Sequence, residues 1–479
     1  MRRTTRRWEV HRWVCGVALA CLLLPLLALP VAAQTAAPLR DPKIVDLISR
    51  MSVEEKVGQL FLVTFVGSAV DPESDIARLI QDYHVGGVVL LSSNRNFANQ
   101  DDTPSAVASL ANQLQTLALT AAPVVTETMV LPSAPVRLPL FVAIDHEGDG
   151  WPYTRITNGL TPLPSAMAIG ATWDPGEAYS MGAITGQELR ALGINMLLGP
   201  SLDVLSNPHP LSGGDLGTRT FGGDPFWVGR MGSAYLQGVH EGSQGRVAAI
   251  AKHFPGHGES DRRADEEAAT VQKSLQQLYQ IELVPFFAST RLSSVDADTI
   301  SDGLMSSHIR YRGLQGNIRQ LTPPISFASE LQSLMDLPEF SPWRSHGGLL
   351  VSDALGVRAV RRYYDPQEAT FPQRRIAYEA FLAGNDLLLL SQFALGDSWA
   401  DQMENMVLAI TFFQERYRAD ADFRKRVDAA LYRIVLLKRR LHPSSALDDV
   451  LVRPEEAGQA VGNARDAVVD VAKKGFSLV

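Results

Sequence analysis

The heptapeptide Lys252-His253-Phe254-Pro255-Gly256-His257-Gly258 gathers a cation, two histidines and two glycines. Lysine supplies a charged donor and histidine a switchable one, a pairing suited to gripping sugar hydroxyls, and the glycines let the backbone turn sharply. The same residues also suit a buried Lys–carboxylate pair beside a core histidine. In Asp145-His146-Glu147-Gly148, Asp145 can accept hydrogen bonds from two neighbouring hydroxyls, or equally cap the start of a following helix. Asp353 closes the almost wholly apolar run Leu349-Leu350-Val351-Ser352. Burying an unpaired carboxylate is expensive, so Asp353 implies either a cationic partner or catalysis, the latter as a nucleophile toward an anomeric carbon.

These residues follow apolar runs of strand length. Strands are predicted at Leu60–Val66, Val85–Leu91, Leu138–Ile144, Ile194–Leu198, Val247–Lys252, Gly303–His308, Gly348–Ser352 and Asp386–Leu390. Their alternation with amphipathic segments is the pattern of βα units on a parallel sheet. Asp145, Lys252-His253, His308 and Asp353 each fall at the C-terminal end of a strand candidate, where (β/α)8 barrels assemble their sites. An open doubly wound sheet, the competing architecture, concentrates ligands at one switch point. The fold class is therefore α/β, a (β/α)8 TIM-type barrel over residues 41–441. Asp41 to Gln59 reads as a helical lead-in with a capping box at Ser52 and Glu55. Ala121 to Leu138, rich in Pro, Thr and Val, reads as a surface excursion, and Asn207 to Gly223 as a long loop on the catalytic face. Asp397 to Leu441 is strongly helical.

The two ends are different in kind. Five arginines precede an apolar run from Trp13 to Leu29, and Val31-Ala32-Ala33 is a small-residue cleavage signature. The run is short for a membrane span and contains Pro25. A cleaved signal peptide over residues 1–33, a secreted or periplasmic location and no membrane span after its removal are expected. Both cysteines, Cys15 and Cys21, lie in this leader, so the mature chain has no disulfide and no Cys-ligated metal. Removing the leader takes away five arginines and one glutamate, and the net charge falls from −8 to −12. That balance argues against a nucleic-acid partner. Residues 442–479 read as a linker with an apolar end, Phe476–Val479, which either opens a further strand or packs on the barrel.

Taken in order, these motifs resemble the N-terminal barrel of glycoside hydrolase family 3, particularly its β-N-acetylglucosaminidase branch. The resemblance covers about Asp41 to Leu441, and it implies that residues 442–479 are a linker and the start of the family's second α/β domain, with Phe476–Val479 as its first strand. It is carried by Lys56-Val57-Gly58-Gln59-Leu60, Gly86 to Leu90, Ala143 to Gly148, Lys252 to Gly258, Met305-Ser306-Ser307-His308 and Ser352-Asp353-Ala354-Leu355. It implies that Asp353 is the nucleophile, that Asp145, Lys252 and His253 bind substrate, and that Arg219 of Thr218-Arg219-Thr220-Phe221-Gly222 is a sugar-binding arginine. Anchoring on Gly159-Leu160-Thr161-Pro162-Leu163-Pro164 aligns Arg155 with a further substrate arginine, at the cost of a two-residue insertion. No metal or organic cofactor is implied.

One departure stands out. The branch carries an Asp-Ser-His triplet after the position of Gly258, whose His is the general acid/base. This chain reads Glu259-Ser260-Asp261-Arg262-Arg263-Ala264-Asp265-Glu266-Glu267. Counting back from Leu275, Arg263 takes the Asp position and Asp265 the His position. Losing the acid/base costs about 10²–10⁴-fold in rate. Asp265, or a neighbour Glu259 or Glu266, replaces it, or a second domain supplies it as in β-glucosidase-like branches. The resemblance implies a secreted retaining exo-β-glycosidase of the β-N-acetylhexosaminidase type acting on terminal amino sugars. The competing expectations are a β-glucosidase-like hydrolase and a glycan-binding protein without turnover.

Overall fold

The computed structural model describes residues 40–476, apart from Asp101, 121–134, Glu259, Asp261 and 293–299. The expected signal peptide, most of the 121–138 excursion and residues 477–479 lie outside the described residues. The lead-in forms two helices, Pro42–Arg50 and Val53–Gly58. The break falls at Ser52, whose hydroxyl accepts from the Glu55 N–H at 3.1 Å while the Glu55 carboxylate accepts from the Ser52 N–H at 2.7 Å. This is the predicted reciprocal cap.

Every predicted strand forms. The strands are β1 (Phe61–Val63), β2 (Gly87–Val89), β3 (Phe141–Ile144), β4 (Met196–Leu197), β5 (Ala248–Phe254), β7 (Gly303–Ser306), β9 (Leu349–Ser352) and β10 (Leu388–Leu390). Two further short strands, β6 (Thr270–Val271) and β8 (Arg310–Tyr311), pair with each other outside the main sheet. The eight-stranded sheet runs β10-β1-β2-β3-β4-β5-β7-β9 with every pairing parallel. A parallel bridge between Val351 and Leu387 joins its two ends. The sheet is therefore a closed (β/α)8 barrel and not an open doubly wound sheet. Its strands are mainly apolar because side chains on one face fill the barrel and those on the other meet the helix ring, and the polar exceptions, Lys252, His253, Ser306 and Ser352, fall toward the C-terminal ends.

Aspartates start two of the ring helices. Asp174 caps Pro175–Ala191 and Asp224 caps Pro225–Gly242, each with Pro at the first helical position. A Cβ on Gly182 would meet the Tyr235 carbonyl oxygen at 2.1 Å, so glycine is what lets these two helices pack backbone to backbone. The helical stretch expected after the last strand forms Trp399–Ala419 and Ala421–Leu441. The second of these reaches under the barrel, where the buried Asp386 carboxylate, just before β10, accepts from Arg344, Arg426 and Arg433.

Phe476, expected as the first residue of a strand, ends the helix Arg465–Phe476, and the other residues of that expected strand, 477–479, lie outside the described residues. Ala467, Val468 and Val471 face the core at helical spacing, and Val471 is fully buried. Before it, Leu447–Val450 and Pro454–Ala460 are also helical. The buried Glu188 straps this region to the ring by accepting from the Gly462 N–H at 2.7 Å and the Thr161 hydroxyl at 2.6 Å.

Candidate active site

A cleft of about 650 Å³ opens at the C-terminal ends of the barrel strands. All seven residues singled out for chemistry line it: Asp145, Arg155, Arg219, Lys252, His253, Asp265 and Asp353. At its polar wall Lys252, 3% exposed, sits between two carboxylates at the end of β3. Its ammonium lies 2.9 Å from Asp145 Oδ1 and 2.6 Å from Glu147 Oε1. Arg219 adds a bidentate pair to Glu147 at 2.7 and 2.9 Å, and Arg155 approaches Asp145 at 3.4 Å. Burial opposes ionisation of Glu147, but Lys252 and Arg219 outweigh it and hold the carboxyl well below the usual range. Asp145 is lowered in the same way, against its burial, by Lys252 and Arg155. Both readings of Lys252 left open by the sequence are thus realised together: it is a buried lysine paired with carboxylates, and it lines the cleft.

His253, next on β5, turns its Nδ1 to the buried Asp203 carboxylate at 2.7 Å. Asp353 follows β9 at the cleft floor, anchored by its N–H to the Ser306 carbonyl at 3.1 Å, with Oδ1 accepting from the Ala354 N–H at 2.8 Å. No cation lies in an ion pair with Asp353 among the described residues, so of the two reasons for a carboxylate here the structure supplies no salt-bridge partner. His308, at the end of the β7 segment, is buried with both ring nitrogens engaged, by the Ser326 hydroxyl at 2.8 Å and the Ala354 carbonyl at 2.9 Å. It braces the loop behind Asp353.

The loop bearing Asp265 folds over this floor. The Asp265 carbonyl accepts from the Ala359 N–H at 2.8 Å, and Arg263 Nε donates to the Gly213 carbonyl at 2.7 Å. A Cβ on Gly214 would meet the Arg262 backbone at 2.3 Å, so the 209–219 loop and the Asp265 loop touch main chain to main chain. Glu266 instead pairs outward with Arg358 at 3.6 Å. The Asp265 side chain reaches solvent through the cleft mouth, yet the protein atoms around the cleft desolvate it. That desolvation, followed by repulsion from the Asp353 carboxylate, raises its pKa above the usual carboxylate value.

With this geometry in view, comparison with known proteins is decisive. The sequence model of the glycosyl hydrolase family 3 N terminal domain matches residues 52–409. The chain belongs to glycosyl hydrolase family 3. Its family relatives include the β-hexosaminidase A of Pseudoalteromonas piscicida, 25% identical over 83% of this chain and 62% of that protein. A second is the β-N-acetylglucosaminidase/β-glucosidase of Cellulomonas fimi, 32% identical over 48% of this chain and 34% of that protein. The chain thus spans only about three-fifths and one-third of the length of these two curated relatives. A family 3 β-N-acetylglucosaminidase structure from Paenibacillus sp. FPU-7 superposes with a TM-score of 0.66 at 28% identity, covering 89% of this chain and 69% of that one. The β-N-acetylhexosaminidase structure from Beutenbergia cavernae, 24% identical with a TM-score of 0.61, shares the fold over 81% of this chain and 98% of its own.

Three residues in or directly behind the cleft were not singled out from sequence. Glu147 lay inside a quoted motif, but only the structure shows it joining Lys252 to Arg219. Asp203 follows β4 in the apolar stretch Leu202-Asp203-Val204-Leu205, so the buried-carboxylate argument applied to Asp353 would have found it. Tyr153 lays its ring 3.7 Å from the Arg219 guanidinium; nothing in its local sequence announces that contact. Among the described residues no group of His, Asp and Glu is disposed to hold a metal ion, and no helix is long and apolar enough to cross a membrane.

Proposed function

We propose that this chain is a retaining exo-β-glycosidase, of the β-N-acetylhexosaminidase type, acting on terminal amino sugars of glycans. The observation that carries the reading is the pair of carboxyl groups in one cleft, Asp353 free of ion pairs and Asp265 pushed toward its protonated form. Retaining hydrolysis needs a nucleophile and a separate proton donor in that relation. Asp353 attacks the anomeric carbon as its bond to the leaving oxygen breaks, and Asp265 delivers its proton to that oxygen. Forming the glycosyl ester removes the charge of Asp353 and with it part of the repulsion that raised Asp265. Asp265 then becomes a better base. It takes a proton from an incoming water, the resulting hydroxide bonds to the anomeric carbon, and Asp353 leaves as carboxylate. Asp145, Arg155, Arg219, Lys252 and His253 hold the terminal sugar, and the scheme uses no cofactor.

The amino-sugar preference rests on the names of the relatives, and the export route on residues 1–33. Hydrolysis of 4-nitrophenyl N-acetyl-β-glucosaminide in preference to the 4-nitrophenyl β-glucoside tests the first. Equal or reversed rates overturn it, and sugar binding without hydrolysis of either makes the protein a binder. N-terminal sequencing of the exported protein tests the second, with Gln34 expected as the first residue and retention of the leader contradicting it.

A further inference from the structure

Asp203 is completely buried and surrounded by donors. Its Oδ1 accepts from the His257 N–H at 2.7 Å and the His253 N–H at 3.3 Å. Its Oδ2 accepts from the Ser201 hydroxyl at 2.8 Å, lies 3.3 Å from the same His253 N–H, and sits 2.7 Å from His253 Nδ1. An ionised carboxylate accepts hydrogen bonds and cannot donate, so Nδ1 must carry the proton of that short contact. The other end of the ring faces the cleft. There His253 Nε2 lies 3.5 Å from Arg219 Nη2, and the guanidinium is itself locked by its two bonds to Glu147. Arginine has donors and no acceptor. A hydrogen on Nε2 would therefore point at another hydrogen, beside a permanent cation.

The groups around the imidazole are thus Asp203 behind it, Arg219 in front, the His257 ring with its centroid 5.9 Å away, and Asp265 acting on it across the cleft. One protonation state satisfies the two direct contacts, the neutral ring with hydrogen on Nδ1 and a bare Nε2. We propose that Asp203 is a positioning residue that fixes His253 in this tautomer, so that Nε2 enters the cleft as a hydrogen-bond acceptor for a substrate hydroxyl and not as a proton donor. The contact from Arg219 is at the long limit for a hydrogen bond, so a hydroxyl approaching closer takes the lone pair over. This rests on the proposed glycosidase reading for the identity of the hydroxyl, but the tautomer itself does not. It also separates the histidine from the acid role, leaving that role to Asp265.

The test is nitrogen-15 NMR of the unliganded protein labelled at histidine, with the His253 signals assigned by their loss in His253→Gln. The expected spectrum has a protonated Nδ1 and an unprotonated Nε2 on His253 near neutral pH. A proton on Nε2 overturns the proposal, whatever the enzyme does with substrate. In Asp203→Asn the side-chain amide can donate to Nδ1, and the proton is expected to move to Nε2. KM for an aryl N-acetyl-β-glucosaminide should then rise about tenfold or more, while kcat for this activated leaving group changes only a few-fold. In the His253→Gln background the same Asp203→Asn change should add no comparable rise in KM, because the ring through which it acts is gone. An equal rise in both backgrounds shows a merely structural aspartate and contradicts the proposal. If Asp203→Asn does not fold, the wild-type spectrum alone decides.

Discussion

One ammonium group holds two carboxylates together on the wall of the cleft, and that makes Lys252 the residue whose loss the site tolerates least. Lys252→Met leaves the partly buried Asp145 and the buried Glu147 near each other without the charge between them, with only Arg155 and Arg219 still paired to them. Breaking a buried pair from one side costs about 3–5 kcal/mol, and chemical denaturation should read a loss of that order with sugar binding lost as well. A loss below about 1 kcal/mol, in the range of a surface pair, would contradict the account. For Asp265 the sign follows from its raised pKa. The proton must be present for the first step, so activity falls as pH rises through that pKa. Asp265→Asn should abolish this limb of the pH profile and lower kcat about 10²–10⁴-fold on a sugar leaving group, with a much smaller loss on an activated aryl one. An unchanged profile would move the acid elsewhere. Asp353 and Lys252 were legible because a charged residue at an apolar strand end demands a reason, and Asp265 only by its alignment with the histidine of the family triplet. Asp203 satisfied the same rule and escaped only because the run before it, Ile194–Leu198, was read as ending five residues earlier.

The strands were legible because each is a short run buried on both faces and bounded by turn residues. β6 and β8 were not, since neither two-residue strand lies in an apolar run of strand length, as the equally short β4 does within Ile194–Leu198. At the tail, Ala467, Val468 and Val471 pack at helical spacing and carry the helix through Phe476, and the rest of the strand expected at Phe476–Val479 lies outside the described residues. Closure of the barrel was inferred from where polar residues fall; the bridge from Val351 to Leu387 that achieves it leaves no sequence signature. At the opposite end from the cleft, Asp386 gathers three arginines onto the entrance of β10. Their combined charge outweighs burial and holds its carboxyl far below the ordinary value. Asp386→Asn should therefore destabilise the barrel by about 3–5 kcal/mol, with KM of the folded fraction unchanged because the site lies at the other rim. A thermal midpoint equal to that of the wild type would contradict this.

Across the molecule, buried histidines set the response to acid. His146, His257 and His442 are each lowered to about 4 chiefly by burial, against about 6.5 in an unfolded chain. Below about pH 6.5 the unfolded chain binds protons that the fold excludes, so stability is full above that value and falls as pH drops toward 4. Thermal midpoints should decline from about pH 7 to pH 4.5, and the decline should shrink in a His442→Gln variant; a flat profile would contradict the neutral histidines. Below about pH 4 the unfolded chain also protonates carboxyls that the fold keeps ionised, Glu147, Asp203 and Asp386, and this adds to the loss. The barrel, the carboxylate–cation wall and the clasped loops all converge on one group at the cleft floor. Incubating the protein with a fluorinated N-acetylglucosamine donor that forms the glycosyl ester quickly and releases it slowly, then mapping the labelled peptide by mass spectrometry, interrogates that group directly. The predicted result is a single sugar ester on Asp353; a label on Asp265, or on any other residue, would contradict the mechanism.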